Sequence, residues 1–419
     1  MKYKTYNCNS FNIYTIKTDR FKTSHLEVIF KNVLKKEEIG TYSFLADMLS
    51  EGCKKYPRKK DLITRFEELY KIVIYASTMR VGNVIDLHVS LDFINPEYIE
   101  DEGYIEEVIK TLFEVILNPN VCNDEFDLKT FNIVKERLRR EINSLKENPV
   151  KQSIKEAIKT MDSNSPTSYE ILGTIEELEN ITPAKLYNAY KSLRKNFKVD
   201  VFLIGNLDMD NVASLIKKYF KNRYIVSDNF EVMVDNKETK KVKVKAMKSD
   251  NIQTNLVMLF NLKNLSELEK NITLNCFNYL YGSGGLTSKL YKSIREENSL
   301  CYAINSMYLK YDKLLMVQIS LDNCNVKKAI SLVKKELKSM QNGNFSEEEV
   351  RDAINNMVIS LDMSLDNNIA ILNNYVFNIY DKLPSIEERK EYFKKLTKED
   401  IVNVSKKVKL NTIFTLEGR

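Results

Sequence analysis

This chain has few residue types with which to do chemistry. Among its 419 residues there are two histidines, His25 and His88, and histidine is both the main zinc ligand and the main general base. The six cysteines (Cys8, Cys53, Cys122, Cys276, Cys301 and Cys324) lie far apart with no C-x-x-C pair. That pattern argues for reduced, mostly structural thiols and against a zinc ribbon or a disulfide scaffold. No Cys/His pair or Ser/His/Asp set stands at a spacing that marks a nucleophile and its base. Gly282, Ser283, Gly284 and Gly285 form a glycine-rich run, yet no Gly-Lys-Ser/Thr follows, so it lacks the means to cradle a phosphate. Arg137 precedes Glu141 by four residues in a charged helical stretch, the spacing of an ion pair along one helix face.

The elements that position these residues can be read from periodicity. His25 opens an alternating run over 25–30, a strand, and His88 lies in a second over 84–93, so both histidines read as packing or surface residues of a sheet. Gly82 and Asn83 mark a hairpin between strands at 72–79 and 84–93. Helices are predicted over 40–51 and 61–70, and over 105–116, where Ile105, Val108, Ile109, Leu112, Phe113 and Ile116 keep the 3.6-residue period before Pro119. A charged helix follows over 124–146. Thr182 and Pro183 supply an N-cap and a first helical residue, and 199–205 reads as a buried strand with a helix after it that ends near Phe220. Late in the chain Thr397 opens a helix and 412–416 forms a strand, at similar spacing. Two copies of one α+β unit of roughly 200 residues account for this better than two unrelated domains. The expected division is 1–221, a polar linker at 222–239, and 240–419, each half an antiparallel sheet with helices on one face.

Composition removes several function classes. The formal net charge of +6 comes from 64 basic and 58 acidic residues mixed along the chain, without the basic stripe of a nucleic-acid binder. No run approaches the roughly 18 apolar residues of a membrane span, and residues 1–14 lack a signal-peptide core. A cytoplasmic protein, with neither nucleic acid nor membrane as partner, is expected.

The order of elements and several short stretches resemble the pitrilysin/insulinase (inverzincin) peptidase superfamily over nearly the whole chain. Residues 40–53 are similar to its zinc-helix segment, Glu141-Ile142 with Asn148-Pro149 to its second helix, and 282–291 with Ile294-Arg295-Glu296 and Leu300-Cys301-Tyr302 to the most recognisable stretch of its C-terminal half. The resemblance implies two homologous domains in a clam-shell arrangement. It also locates a departure. Where the family carries His, Glu and His of H-x-x-E-H, this chain has Ser43, Ala46 and Asp47. Serine is a poor zinc ligand, alanine is no base, and one carboxylate does not replace two imidazoles. Glu141 stands at the family's third ligand position, where the ion pair with Arg137 is the plainer reading. A hard-cation site for Mg²⁺ or Ca²⁺ from Asp47, Glu51 and Glu141 is the remaining metal alternative.

The family's second constellation is retained. The resemblance places its active-site Arg and Tyr at Arg295 and Tyr302, donors suited to a carbonyl that becomes an oxyanion. Taken singly, Arg295 is also a cation near a helix end and Tyr302 a half-buried strand aromatic. The resemblance makes Gly282, Gly284 and Gly285 a flexible loop that touches an extended peptide. A strand is expected at 251–260; an edge in that region could accept a peptide as an added strand, though the sequence does not say which edge is open. The expectation is a non-catalytic subunit with no cofactor of its own, lending Arg295 and Tyr302 to a zinc-bearing homologous partner, or pairing with itself. The alternative is a stand-alone peptide-binding or scaffolding protein. Among bacterial members it looks most like insulinase-like proteins associated with modification of elongation factor P, a link that no residue here explains.

Overall fold

The computed structural model describes residues 2–221, 224–227, 229–237 and 239–419. Of the expected linker, Asn222, Arg223, Asp228 and Glu238 lie outside the described residues, and its other positions carry no helix or strand. The chain forms two compact units, and neither is a continuous stretch. Unit one comprises Met1–Asn143, Tyr169–Val232 and Asn367–Tyr380, and unit two comprises Ser144–Ser168, Met233–Asp366 and Asp381–Arg419.

Unit one is built on β1 (Lys2–Asn7), β2 (Phe11–Lys17), β3 (Thr23–Val33), α1 (Ile39–Leu49), α2 (Lys59–Glu68), β4 (Val73–Val81), β5 (Val84–Ile94) and α3 (Tyr104–Leu117). A two-residue ribbon, β6 (Val121–Cys122) with β7 (Glu125–Phe126), precedes α4 (Leu128–Glu147) and α5 (Pro149–Asp162). Residues 124–127 are therefore not helical, and the charged helix starts at Leu128. After α6 (Ile175–Glu179) come α7 (Pro183–Asn196), β8 (Lys198–Gly205) and α8 (Met209–Tyr219). Thr182 accepts the Lys185 N–H at 3.2 Å, the cap that its position ahead of Pro183 implied.

The sheet order is β1-β2-β8-β3-β5-β4, antiparallel except for the parallel pair β2–β8. Gly82 turns the β4–β5 hairpin with φ +59°, a conformation easy only for a residue without Cβ. Leu26, Val28 and Phe30 of β3, with Leu87, Val89 and Leu91 of β5, face the helices and are fully buried. Each such side chain contributes about 1.5–3 kcal/mol on burial. The alternate residues, His25, Glu27 and Lys31 of β3 with Asp86, His88, Ser90 and Asp92 of β5, share the other face and are mostly buried as well.

Unit two adds β9 (Lys243–Lys248), β10 (Thr254–Leu262), α9 (Leu274–Asn278) between two π-helical turns, β11 (Cys301–Leu309), β12 (Leu314–Leu321), α10 (Val326–Gln341) and α11 (Glu347–Ser364). The chain ends with α12 (Asn368–Asp381), α13 (Ile386–Lys394), α14 (Lys398–Ser405) and β13 (Val408–Glu417). Its sheet runs β11-β12-β10-β13-β9, with β13–β9 parallel. β10 is central, paired with β12 on one side and β13 on the other, and all nine of its residues are buried. The strand at 251–260 is therefore no edge; β9 and β11 are the edges that the sequence left open.

Both sheets also carry a helix on their second face. In unit two, Ala157 and Met161 of α5 pack with Val257, Leu259, Phe414 and Leu416. In unit one, Tyr375 of α12 stacks on Tyr3 with ring centroids 5.3 Å apart and meets Tyr14 at 5.9 Å.

Candidate functional site

The two halves of the expected constellation lie in different units, and each is described where it stands. In unit one, α1 packs so tightly that every residue except Asp47 is buried. A Cβ on Gly40 would meet Gly173 Cα at 3.0 Å, which sets how closely the helix approaches the 171–173 segment. Ser43 donates to the Ile171 carbonyl and lies 2.7 Å from Thr78 Oγ1 of β4. Its hydroxyl is thus committed inward. Ala46 is core, 1% exposed, and the Phe44 ring stacks on Phe131 of α4 at 4.7 Å.

Asp47 and Glu51 are one helical turn apart, and the expected pairing changes here. Arg137 of α4 turns away from Glu141, directing Nη2 to Asp47 Oδ2 at 3.1 Å and Nη1 to Glu51 Oε1 at 2.6 Å. Lys59 Nζ reaches the same Glu51 oxygen at 2.8 Å. Burial would raise the Glu51 carboxyl, but Lys59 and Arg137 hold it below the usual range. Glu141 is exposed one turn further along α4, and among the described residues no ion pair joins it to Arg137. Tertiary proximity has overridden the i,i+4 spacing.

The donor set does not fit a zinc ion: one hydroxyl is spent on a carbonyl, one position is a methyl, and the carboxylates already hold a guanidinium. Among the described residues no three His, Cys, Asp or Glu side chains gather to hold a metal, so the Mg²⁺ or Ca²⁺ alternative has no support in this geometry either. Neither histidine belongs to this region. His25 Nδ1 pairs with Asp92 Oδ1 at 2.7 Å. His88 Nδ1 pairs with Glu27 Oε1 at 2.8 Å, and its Nε2 lies 3.8 Å from Asp86 Oδ2. Tyr380 of α12 donates to that Asp86 oxygen at 2.6 Å. Beside them Lys31 and Asp200 form an ion pair at 2.7 Å with side chains 2% and 0% exposed. This polar layer escaped the sequence reading because charges at every second residue of β3 and β5 are the usual mark of a solvated face.

In unit two, Gly282 is buried rather than loop-like: a Cβ there would sit 2.6 Å from Ser306 Oγ of β11 and 2.8 Å from Leu290 Cδ1. Gly284 is half-buried. Gly285 alone is exposed, with φ +59°. Arg295 is exposed in the π-helical turn Tyr291–Glu296, its guanidinium 5.1 Å over the Tyr291 ring. Its charge also acts on the Cys301 thiol, which burial pushes up and Arg295 pulls down. Tyr302 comes next in the chain. The β11–β12 register shifts between Cys301 and Ala303, so Tyr302 is the extra residue of a bulge on an edge strand. Bulges re-aim side chains in this way. Its ring is 54% exposed, and its hydroxyl donates to Asp322 Oδ1 at 3.1 Å, a bond that raises the phenol's pKa. It therefore stays protonated, as a donor must. The sequence placed Arg295 and Tyr302 by motif spacing alone, with no sign of this bulge.

With this geometry in hand, the comparisons agree with one another. The family described as the peptidase M16 inactive domain matches residues 180–357. A probable inactive metalloprotease of Bacillus subtilis (strain 168), YmfF, is 26% identical over 412 residues, 96% of this chain and 95% of that protein. Two crystal structures share the fold. One is a conserved protein from Enterococcus faecalis V583, with TM-score 0.94 and 23% identity over 100% of this chain and 99% of that one. The other is a peptidase M16 inactive domain from Pseudomonas fluorescens, with TM-score 0.82 and 16% identity over 100% and 99% of the two chains. Residues 180–357 thus match the M16 inactive domain, the whole chain has the fold of M16-like proteins, and its likeness is to a degenerate pitrilysin/insulinase-type peptidase. The chain is similar to a probable inactive metalloprotease, and the zinc-motif positions Ser43, Ala46 and Asp47 lack the imidazoles that such a peptidase needs.

Proposed function

We propose that this chain is the non-catalytic subunit of a two-chain zinc metallopeptidase, acting in the cytoplasm on peptide substrates. A homologous partner carries the zinc, and this chain supplies Arg295 and Tyr302 to the shared site. The observation that carries the reading is the contrast between the two constellations. Ser43, Ala46 and Asp47 are absorbed into packing and ion pairs, whereas Tyr302 is the extra residue of a bulge on an edge strand and, like Arg295 of the preceding turn, is exposed. A phenol and a guanidinium left exposed suit a peptide carbonyl that gains negative charge. The peptide contact itself would rest on Gly285, since Gly282 is enclosed.

The test is an affinity pulldown from the native cytoplasm, with zinc content and peptidase activity measured on the eluate. A stoichiometric zinc-motif homologue is expected, with joint kcat falling about 10²–10³-fold on Tyr302→Phe or Arg295→Ala. Recovery of this protein alone, inert yet able to bind peptides, would refute the shared site and leave a peptide-binding protein.

A further inference from the structure

The degenerate zinc region of unit one is more than a set of missing ligands. We infer that the Arg137 guanidinium, held on Asp47 at a ligand position of the motif and on Glu51 one turn further, is the cation that ties α1 to α4 and bars a divalent ion from those carboxylates. Asp47 and Glu51 carry two negative charges, and Arg137 and Lys59 bring two positive ones within 2.6–3.1 Å of them. The group is neutral overall, so no net field draws in a divalent cation. Geometry adds to this. Guanidinium is planar and donates from separate nitrogens, and Arg137 uses two of them, one on each carboxylate. A metal bridging the same two carboxylates would need the space that the guanidinium fills.

The cross-link also has a mechanical basis. The Glu51 side chain is 7% exposed and the Arg137 side chain 39%, so at least the Glu51 end is shielded from water and salt. The Phe44–Phe131 stack holds the same two helices together nearby. Packing therefore presets the approach of the helices, and the ion pairs fix their register. Lysine at position 137 would keep the charge and lose the two-pronged contact. This inference concerns unit one alone and does not depend on whether the chain has a partner.

The test uses the full chain in four forms. One restores the motif residues (Ser43→His, Ala46→Glu and Asp47→His together), a second adds Arg137→Gln to these, a third is Arg137→Gln alone, and the fourth is Arg137→Lys alone. Zinc per chain is measured after dialysis against zinc buffer. The restored form with Arg137 in place is expected to stay substoichiometric, and the form that also lacks Arg137 to approach one equivalent. Equal zinc in those two forms, whether none or one, overturns the inference. For the cross-link, Arg137→Gln alone should shift the unfolding equilibrium about tenfold towards the unfolded state, the scale of a hydrogen bond to a charged group. Arg137→Lys should recover part of that loss. A protein as stable with Gln as with Arg would equally overturn the inference.

Discussion

His88 is predicted to be protonated throughout the neutral range, and its effect on stability has a definite sign. Its imidazole lies on the second face of the unit-one sheet, with Glu27 of β3 at 2.8 Å and Asp86 of its own strand at 3.8 Å. Tyr380 of α12 and Ser90 bind the same two carboxylates, and Lys31 pairs with Asp200 alongside. Burial would lower the pKa of this imidazole. Asp86 and Glu27 outweigh burial and hold it at about 9, against 6.5 for the ordinary side chain. A group whose pKa is raised on folding stabilises the fold below its unfolded value and ceases to do so as pH rises through the folded value. The window here is thus pH 6.5 to 9. Its contribution is about 3 kcal/mol below pH 6.5 and is largely lost by pH 9. Glu27 has the opposite sense: burial would raise it, but His88 holds it below the usual range, so its contribution is lost only in acid. Because the chain has two histidines, two imidazole proton signals suffice for an NMR titration, and His88→Gln assigns them. The expected His88 signal titrates near 9, and amide exchange in β3 and β5 accelerates between pH 7 and 9 beyond the intrinsic rate. A His88 signal with its midpoint at or below 6.5 would refute the reasoning, since the imidazole would then be neutral in the fold.

Two further substitutions probe stability. Lys31→Met removes the cation paired with the Asp200 carboxylate, whose side chain is 0% exposed, and should cost about 3–5 kcal/mol. Lys31→Met with Asp200→Leu should regain most of this by chemical denaturation, and a single-variant loss below about 1 kcal/mol, the scale of a surface pair, would contradict the buried-pair account. In unit two, Gly282→Ala drives a Cβ into Ser306 Oγ and Leu290 and should cost about 1–3 kcal/mol. Gly285→Ala meets open space at φ +59° and should cost about 1 kcal/mol from backbone strain alone. The reverse order of thermal midpoints would show that the close approach at Gly282 relaxes freely.

What the sequence made legible was local. The α3 periodicity, the Gly82 turn, the Thr182 and Thr397 caps and the strand at 199–205 all depend on residues within a few positions of one another, and each stands in the structure. Partners distant in the chain were harder to read. Arg137 has Glu141 one turn away, yet bonds to Asp47 and Glu51 some ninety positions earlier, a choice that only the α1–α4 packing decides. Whether β10 lies at an edge could not be read, because strand order within a sheet is not written in any one strand. The placement of α5 with the unit-two sheet and of α12 with the unit-one sheet likewise has no local signal. Each buries a second sheet face whose need for cover appears only once the sheet is assembled.

These long-range contacts bear on why the loss of the zinc motif is coherent rather than piecemeal. A working zinc helix must hold its ligand face open to water and substrate, which leaves polar side chains without packing partners. α1 shows the reverse at each of the three positions. Ser43 has a carbonyl to donate to, Ala46 has core around it, and Asp47 has a guanidinium. Each residue now contributes to stability through a different contact, so reverting any single one would remove that contact and supply at most one donor of the four that zinc requires. Restoring a ligand stepwise is uphill at every step. The motif groups left outside the core are Arg295 and Tyr302, whose exposure has no counterpart in the packing of α1.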